Sequence, residues 1–125
     1  MELILSNSSG KPIYEQISQQ IKSLILSGEL TQGELLPSMR QLAKDLHISV
    51  ITTKRAYEDL ERDGFLVNVP GKGCFVAKAN PEFIREEVLR RVQEALSQAV
   101  DIAKSANLTQ EELWEMLKLL YEGEA

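Results

Sequence analysis

The chain has 125 residues, of which 43% are hydrophobic and 26% charged, with a formal net charge of −5. This balance is typical of a soluble globular protein and excludes a disordered chain. The single cysteine, Cys74, and the single histidine, His47, exclude an intramolecular disulfide and a zinc site built from several Cys or His ligands of this chain. We therefore expect no metal, no other cofactor and a reducing, cytoplasmic setting.

Neither a signal peptide nor a membrane span is expected. The first seven residues carry no basic side chain and only a short apolar run, and no later apolar run approaches the length of a membrane span. We expect the protein to stay in the cytoplasm without a membrane partner.

The acidic surplus is confined to the C-terminal part of the chain. Residues 1–78 hold nine Lys and Arg and nine Asp and Glu, whereas residues 79–125 hold five and ten. A partner responds to the charge of the segment that it meets, so the neutral front of the chain remains compatible with nucleic acid.

Two helices are predicted in the first third of the chain. Apolar residues recur at helical spacing from Pro12 to Gly28, which predicts a helix that stops at the glycine. After a loop, Ser38 and Gln41 form a capping box, in which each side chain satisfies an amide of the first turn. The second helix then runs to about Leu46.

A third helix follows after three residues. Ser49 is its expected N-cap, and it ends before Gly64. His47 stands in the intervening turn, where a left-handed backbone is often needed, so we interpret it as a turn residue rather than a catalytic base. The helical spacing places four residues on the buried face: Thr53, Ala56, Tyr57 and Leu60.

A β-hairpin is predicted after the third helix. Residues 66–69 and 74–77 are short β-prone runs, and they flank the turn sequence Pro70-Gly71-Lys72-Gly73. A Walker loop would need a helix after the glycines, so nucleotide binding is not expected here.

Two amphipathic helices are predicted in the acidic tail. Pro81 opens the first, which ends near Asn107, and Thr109 with Glu112 forms a capping box that opens the second. Their apolar stripes are wider than an isolated helical pair can bury. They form either a dimer surface, which we favour, or a contact with the chain's own front half. The expected dimerisation residues are Val88, Val92, Leu96, Leu113, Trp114, Leu117, Leu120 and Tyr121.

The order of these elements predicts a winged helix-turn-helix. Two short helices joined by a three-residue turn and followed by a glycine-tipped hairpin form this motif, whose second helix enters the major groove of B-form DNA. The expected fold is mostly α with a small β-hairpin wing. We assign residues 1–78 to the DNA-binding domain and residues 79–125 to a helical dimerisation tail.

The exposed residues of this motif are the candidate DNA contacts. Lys and Arg side chains reach guanine acceptors or phosphates, apolar side chains touch thymine methyl groups, and glycine lets a wing approach the DNA backbone closely. The alternative reading of each charged residue is an ordinary solvated surface. The candidates are Ser38, Arg40, Val50, Ile51, Thr52, Lys54, Arg55, Gly71, Lys72 and Gly73.

The motifs also resemble those of the GntR family of bacterial transcription regulators. The segments that carry the resemblance are Leu36–Ala43, Ile48–Glu61, Asp63–Phe65 and Gly71–Val76. The segment Pro12–Ile17 and the short tail are similar to those of the YtrA subfamily, whose members carry only a small helical dimerisation region.

Because a single helix in one groove gives little specificity, we expect a homodimeric repressor that binds an inverted-repeat operator in double-stranded DNA. The resemblance suggests transporter operons as its targets. It adds Ser49 to the expected DNA contacts. A winged-helix module for protein or RNA contacts remains the alternative, and an enzyme is disfavoured because no catalytic set of residues is discernible. Whether a small-molecule effector binds is left open.

Overall fold

The computed structural model describes residues 1–123, which form five helices and one two-stranded antiparallel sheet. They divide into two compact units, Met1–Ile84 and the part of the chain from Arg85 onwards. The expected class, mostly α with a hairpin wing, is confirmed. The elements are α1 (Ile13–Leu26), α2 (Met39–Leu46), α3 (Val50–Arg62), β1 (Leu66–Val69), β2 (Gly73–Val76), α4 (Pro81–Ser105) and α5 (Gln110–Tyr121).

The first unit has one hydrophobic core, which α1 and α3 share with the hairpin and the loop before α2. Ile17 and Ile21 lie one turn apart on α1 and are fully buried, as the helical spacing predicted. The core consists of Ile17, Ile21, Leu30, Leu36, Leu42, Ala56, Tyr57, Leu60, Phe65, Leu66 and Val76.

The N-terminal segment is held along α1 by two glutamine side chains. The Gln16 amide accepts from the Ser6 N–H (2.8 Å) and donates to the Ser6 carbonyl (2.7 Å). The Gln20 amide makes the same pair of bonds with Ile4, at 2.8 and 2.6 Å. No pattern in the sequence indicates this arrangement, which brings Leu3 and Leu5 against the core.

The hairpin has a regular register, with Leu66 opposite Val76 and Val69 opposite Gly73. An isolated antiparallel bridge joins Leu35 to Phe75, so the loop before α2 lies beside β2. The wing is therefore tied to the segment that leads into the helix-turn-helix.

Two contacts surround the end of α3. Lys22 is buried, and its ammonium group lies 3.3 Å from a carboxylate oxygen of Asp63 and 5.4 Å from the centre of the Phe65 ring. Gly64 has a φ of +84°, and a Cβ built on it would lie 2.9 Å from the ring of Phe83. Gly64 thus meets two requirements, a left-handed backbone and room for an aromatic ring.

The second unit consists of most of α4 together with α5. Thr109 caps α5 by accepting a hydrogen bond from the Glu112 N–H at 3.1 Å. Buried Glu87 accepts hydrogen bonds from Arg90 and Arg91, and the bond that Arg90 donates to Glu87 is the main reason that the pKa of Arg90 is raised. None of the twelve residues of α5 is buried. In residues 1–123, no helix is long and apolar enough to cross a membrane.

Candidate nucleic-acid interface

The turn between α2 and α3 has the geometry of a helix-turn-helix. His47 ends α2 in the left-handed conformation, with a φ of 57° and a ψ of 46°, which confirms its reading as a turn residue. Ser49 then caps α3, because its hydroxyl accepts a hydrogen bond from the Thr52 N–H at 3.2 Å. Only three residues separate the two helices, so their relative orientation is closely fixed.

The capping box predicted at the start of α2 is only half formed. The Ser38 hydroxyl accepts from the Gln41 N–H at 3.0 Å, as expected. The Gln41 amide does not return to Ser38; instead it donates to the Asp45 carboxylate at 2.7 Å. The reciprocal bond, from the Ser38 N–H to the Gln41 side-chain oxygen, was therefore wrongly predicted, because the charged acceptor one turn ahead draws the Gln41 amide away from Ser38.

Two buried hydroxyls fix α3 to the segment before it. The Thr53 hydroxyl lies 3.0 Å from the Met39 carbonyl oxygen and 2.8 Å from that of Val50. The Tyr57 hydroxyl donates to the Pro37 carbonyl oxygen at 2.7 Å, and burial raises the pKa of Tyr57 well above its usual value. These bonds explain why α3 presents one fixed face to solvent.

The outer face of α3 begins with apolar side chains. Ile51 is 80% exposed, and Val50 is also exposed. Thr52 is half-buried, and its hydroxyl lies 2.9 Å from the Ser49 hydroxyl. Ser49 and Ser38 are exposed as well, although both hydroxyls already act as helix caps.

The basic residues of the interface differ in their surroundings. Lys54 is exposed, with its ammonium group 3.8 Å from the Glu58 carboxylate. Arg40 is exposed on the first turn of α2. The Arg55 guanidinium lies 3.7 Å from the centre of the Tyr14 ring, a contact that the sequence analysis missed because the two residues are far apart in the chain.

The wing tip depends on two glycines with positive φ. Gly71 has a φ of +77° with open space where a Cβ would lie, whereas Gly73 has a φ of +125° and a Cβ built on it would lie 2.9 Å from a side-chain carbon of Leu35. Between them Lys72 is exposed, and its N–H donates to the Val69 carbonyl at 2.9 Å. The tip therefore presents a lysine on a turn with little side-chain bulk, which suits close approach to the DNA sugar-phosphate backbone.

The side chains of the interface offer little for metal binding or nucleophilic catalysis. Within residues 1–123, no group of three or more His, Cys, Asp or Glu residues is placed to hold a metal ion. Cys74 is half-buried, and burial followed by the nearby Glu61 charge raises the pKa of its thiol. A raised pKa disfavours the thiolate, which is the reactive form.

The predicted dimerisation residues lie on the second unit and are mostly exposed. Trp114 is 68% and Tyr121 89% exposed, and Leu113 is half-buried. A groove of about 570 Å³ runs between α4 and α5; it is lined by Val92, Leu96, Trp114, Leu117, Lys118, Tyr121 and Glu122. In the single chain Val88, Val92 and Leu96 are also exposed.

Two short helices with a three-residue turn, an outward-facing second helix and a glycine-tipped hairpin define a winged helix-turn-helix protein. Residues 13–76 match the model of the bacterial regulatory proteins of the gntR family. Over 110 residues, 88% of this chain and 85% of the relative, the sequence is 36% identical to the HTH-type transcriptional repressor YtrA of Bacillus subtilis (strain 168). The chain belongs to the GntR family.

Solved structures agree with this assignment. A transcriptional antiterminator from Listeria monocytogenes EGD-e matches at 27% identity and a TM-score of 0.74, over 97% of this chain and 90% of that one. AraR(DBD) in complex with operator ORE1 matches at 30% identity and a TM-score of 0.52, over 62% of this chain and 94% of that one. The protein is a GntR-family transcriptional regulator with a DNA-binding domain, so the predicted family, fold class and regulatory role are confirmed.

Proposed function

We propose that this regulator is a repressor that binds an inverted-repeat operator as a symmetric homodimer. The observation that carries the proposal is the outward face of α3, where Ile51 and Lys54 are exposed. Residues 1–78 are the proposed DNA-binding domain and residues 79–125 the dimerisation tail. Repression follows if the bound dimer covers a promoter.

The DNA contacts divide into two kinds. Val50 and Ile51 are proposed to touch thymine methyl groups, and Lys54 to reach a guanine or a phosphate. Arg40 and Lys72 are proposed to contact phosphates on either side of the groove. Apolar side chains at the tip of α3 predict a thymine-containing half-site.

A dimer is proposed because the second unit exposes too much apolar surface. No residue of α5 is buried, although Leu113, Leu117 and Leu120 recur on it at helical spacing. A unit of about 40 residues rarely has a sufficient core of its own. A second copy of the unit would supply the missing apolar partner, and the groove that contains Trp114 is the proposed centre of the interface.

Selection of bound sequences from random duplex DNA tests the proposal. A homodimer should select inverted repeats whose half-sites lie about 10 bp, or one helical turn, apart. Selection of single, unpaired half-sites would contradict the dimer, and failure to select any duplex would contradict the repressor.

Matched variants test the individual contacts. Replacing Lys54 and Arg40 by Gln should lower affinity for the selected duplex and lower its salt dependence, because both cations neutralise phosphates. Lys104→Gln in α4 is the control, since it removes one positive charge from the proposed tail. If the double variant bound as tightly as the control, these contacts would be refuted.

The interface is tested by sedimentation of two leucine variants. Leu117→Asp places a charge in the groove and should yield monomers, whereas Leu119→Asp changes an exposed leucine of α5 that is not part of the groove lining. Dimers in both variants would show that the groove is not the interface.

We propose transporter operons as the targets, as the resemblance to the YtrA subfamily implies, and a cytoplasmic location is part of the same proposal. RNA is the alternative partner of the winged-helix module. A single-stranded RNA pool added as competitor distinguishes the two. If the protein is a DNA-binding repressor, the selected duplex should remain bound to it in the presence of this RNA.

A further inference from the structure

Arg55 and Tyr14 form a stacked pair on the surface of the first unit. The guanidinium carbon lies 3.7 Å from the centre of the ring. Tyr14 is half-buried in the first turn of α1 and packs against the core, whereas Arg55 is exposed on α3, one turn after Ile51. A ring held by the core thus supports a cation on the recognition helix.

The Tyr14 ring differs from the partners of the neighbouring cations. Lys54 lies 3.8 Å from a Glu58 carboxylate oxygen, and Arg62 lies 3.1 Å from that of Asp59. Tyrosine is uncharged at neutral pH, so stacking leaves the full positive charge of Arg55 in place. The same ring contact restricts the conformations of a long side chain that would otherwise lose entropy on binding.

A stacked guanidinium also keeps its hydrogen-bonding edges free. The ring covers one face of the planar group, while the N–H donors lie in the plane and point away from the ring. These donors match the oxygens of a phosphate, which arginine binds in a bidentate manner.

We propose that Tyr14 is a positioning residue that holds Arg55 ready to bind a DNA backbone phosphate beside the major groove. The inference rests on the proposed DNA-binding function, and it assigns to α1 a part in recognition that lies outside the helix-turn-helix itself. Tyr14 acts through Arg55 and does not touch DNA.

Four variants test the pair, with the duplex selected by the wild-type protein as the probe. Arg55→Gln should reduce the slope of log K against log salt by about 0.9, the loss of one phosphate contact. Arg62→Gln is the matched control, because that arginine on the same helix already pairs with Asp59, and its slope should stay near the wild-type value. Tyr14→Leu should lower affinity roughly two- to fivefold, whereas Tyr14→Phe keeps the ring and should bind like the wild type.

A double variant separates positioning from mere stabilisation. In the Arg55→Gln background, Tyr14→Leu should have no further effect on affinity, and thermal unfolding should verify that each variant is folded. An unchanged salt slope for Arg55→Gln, or an equal effect of Tyr14→Leu in both backgrounds, would overturn the inference while leaving the repressor proposal intact. If the wild type bound no duplex in a salt-dependent manner, both would fail together.

Discussion

Gly64 gives a stringent test of how the first unit is packed. Gly64→Ala adds a methyl group at a φ of +84°, where an L-residue is strained by about 1 kcal/mol. The new methyl would also lie 2.9 Å from one carbon of the Phe83 ring and 3.2 Å from another, so the ring has to move.

The cost of moving Phe83 follows from its burial. The ring is 48% exposed, so about half of its surface, on the order of 100 Å², is protected from water. At about 25 cal/mol per Å², full release would cost about 2.5 kcal/mol and partial release about half of that. With backbone strain added, we expect Gly64→Ala to lower the free energy of unfolding by roughly 2–3.5 kcal/mol.

Gly28→Ala is the matched control. Gly28 has nearly the same φ, +85°, with no atom within 4 Å of its Cβ position, so its substitution measures backbone strain alone, about 1 kcal/mol. Urea unfolding followed by circular dichroism at one protein concentration compares the two. In a Phe83→Ala background, the cost of Gly64→Ala should fall to that of Gly28→Ala. Equal costs in the wild-type background would refute the packing argument.

Three further predictions concern single side chains. Tyr57→Phe should lower the free energy of unfolding by about 1–3 kcal/mol in urea, because the Pro37 carbonyl loses its donor. Ser49→Ala should lower it by about 1 kcal/mol, since α3 loses its N-cap, and unchanged stability would show that the cap is dispensable. Native Cys74 should react with iodoacetamide at pH 8 more slowly than the same residue in the urea-unfolded chain, because its raised pKa lowers the thiolate fraction. Equal rates would contradict this.

The local parts of the fold could be predicted because their signals lie close together in the sequence. The caps at Ser38 and Ser49, the left-handed turn at His47 and the buried face of α3 all depend on residues within one or two turns. Each helix bound that was predicted lies within about two residues of the observed one, which is the usual uncertainty of helix ends.

The contacts that escaped prediction join distant segments. Arg55 meets Tyr14 across 41 positions, and Lys22 pairs with Asp63 across the same separation. Composition and periodicity contain no information about such pairs, because they arise only when α1 packs on α3. The reciprocal bond of the Gln41 side chain was wrongly predicted for the opposite reason, since two partners were both near, the Ser38 N–H and the Asp45 carboxylate, and the charged one was preferred.

The two glutamines that hold the N-terminal segment have a geometric consequence. Four residues of helix rise about 6.0 Å, and two residues of extended chain span about 6.6 Å, so Gln16 and Gln20 match the spacing of Ser6 and Ile4. The two glutamines of α1 thereby fix the register of the N-terminal segment along the helix. A residue inserted between Ile4 and Ser6 would break this match, because Gln16 and Gln20 could no longer bind Ser6 and Ile4 at the same time.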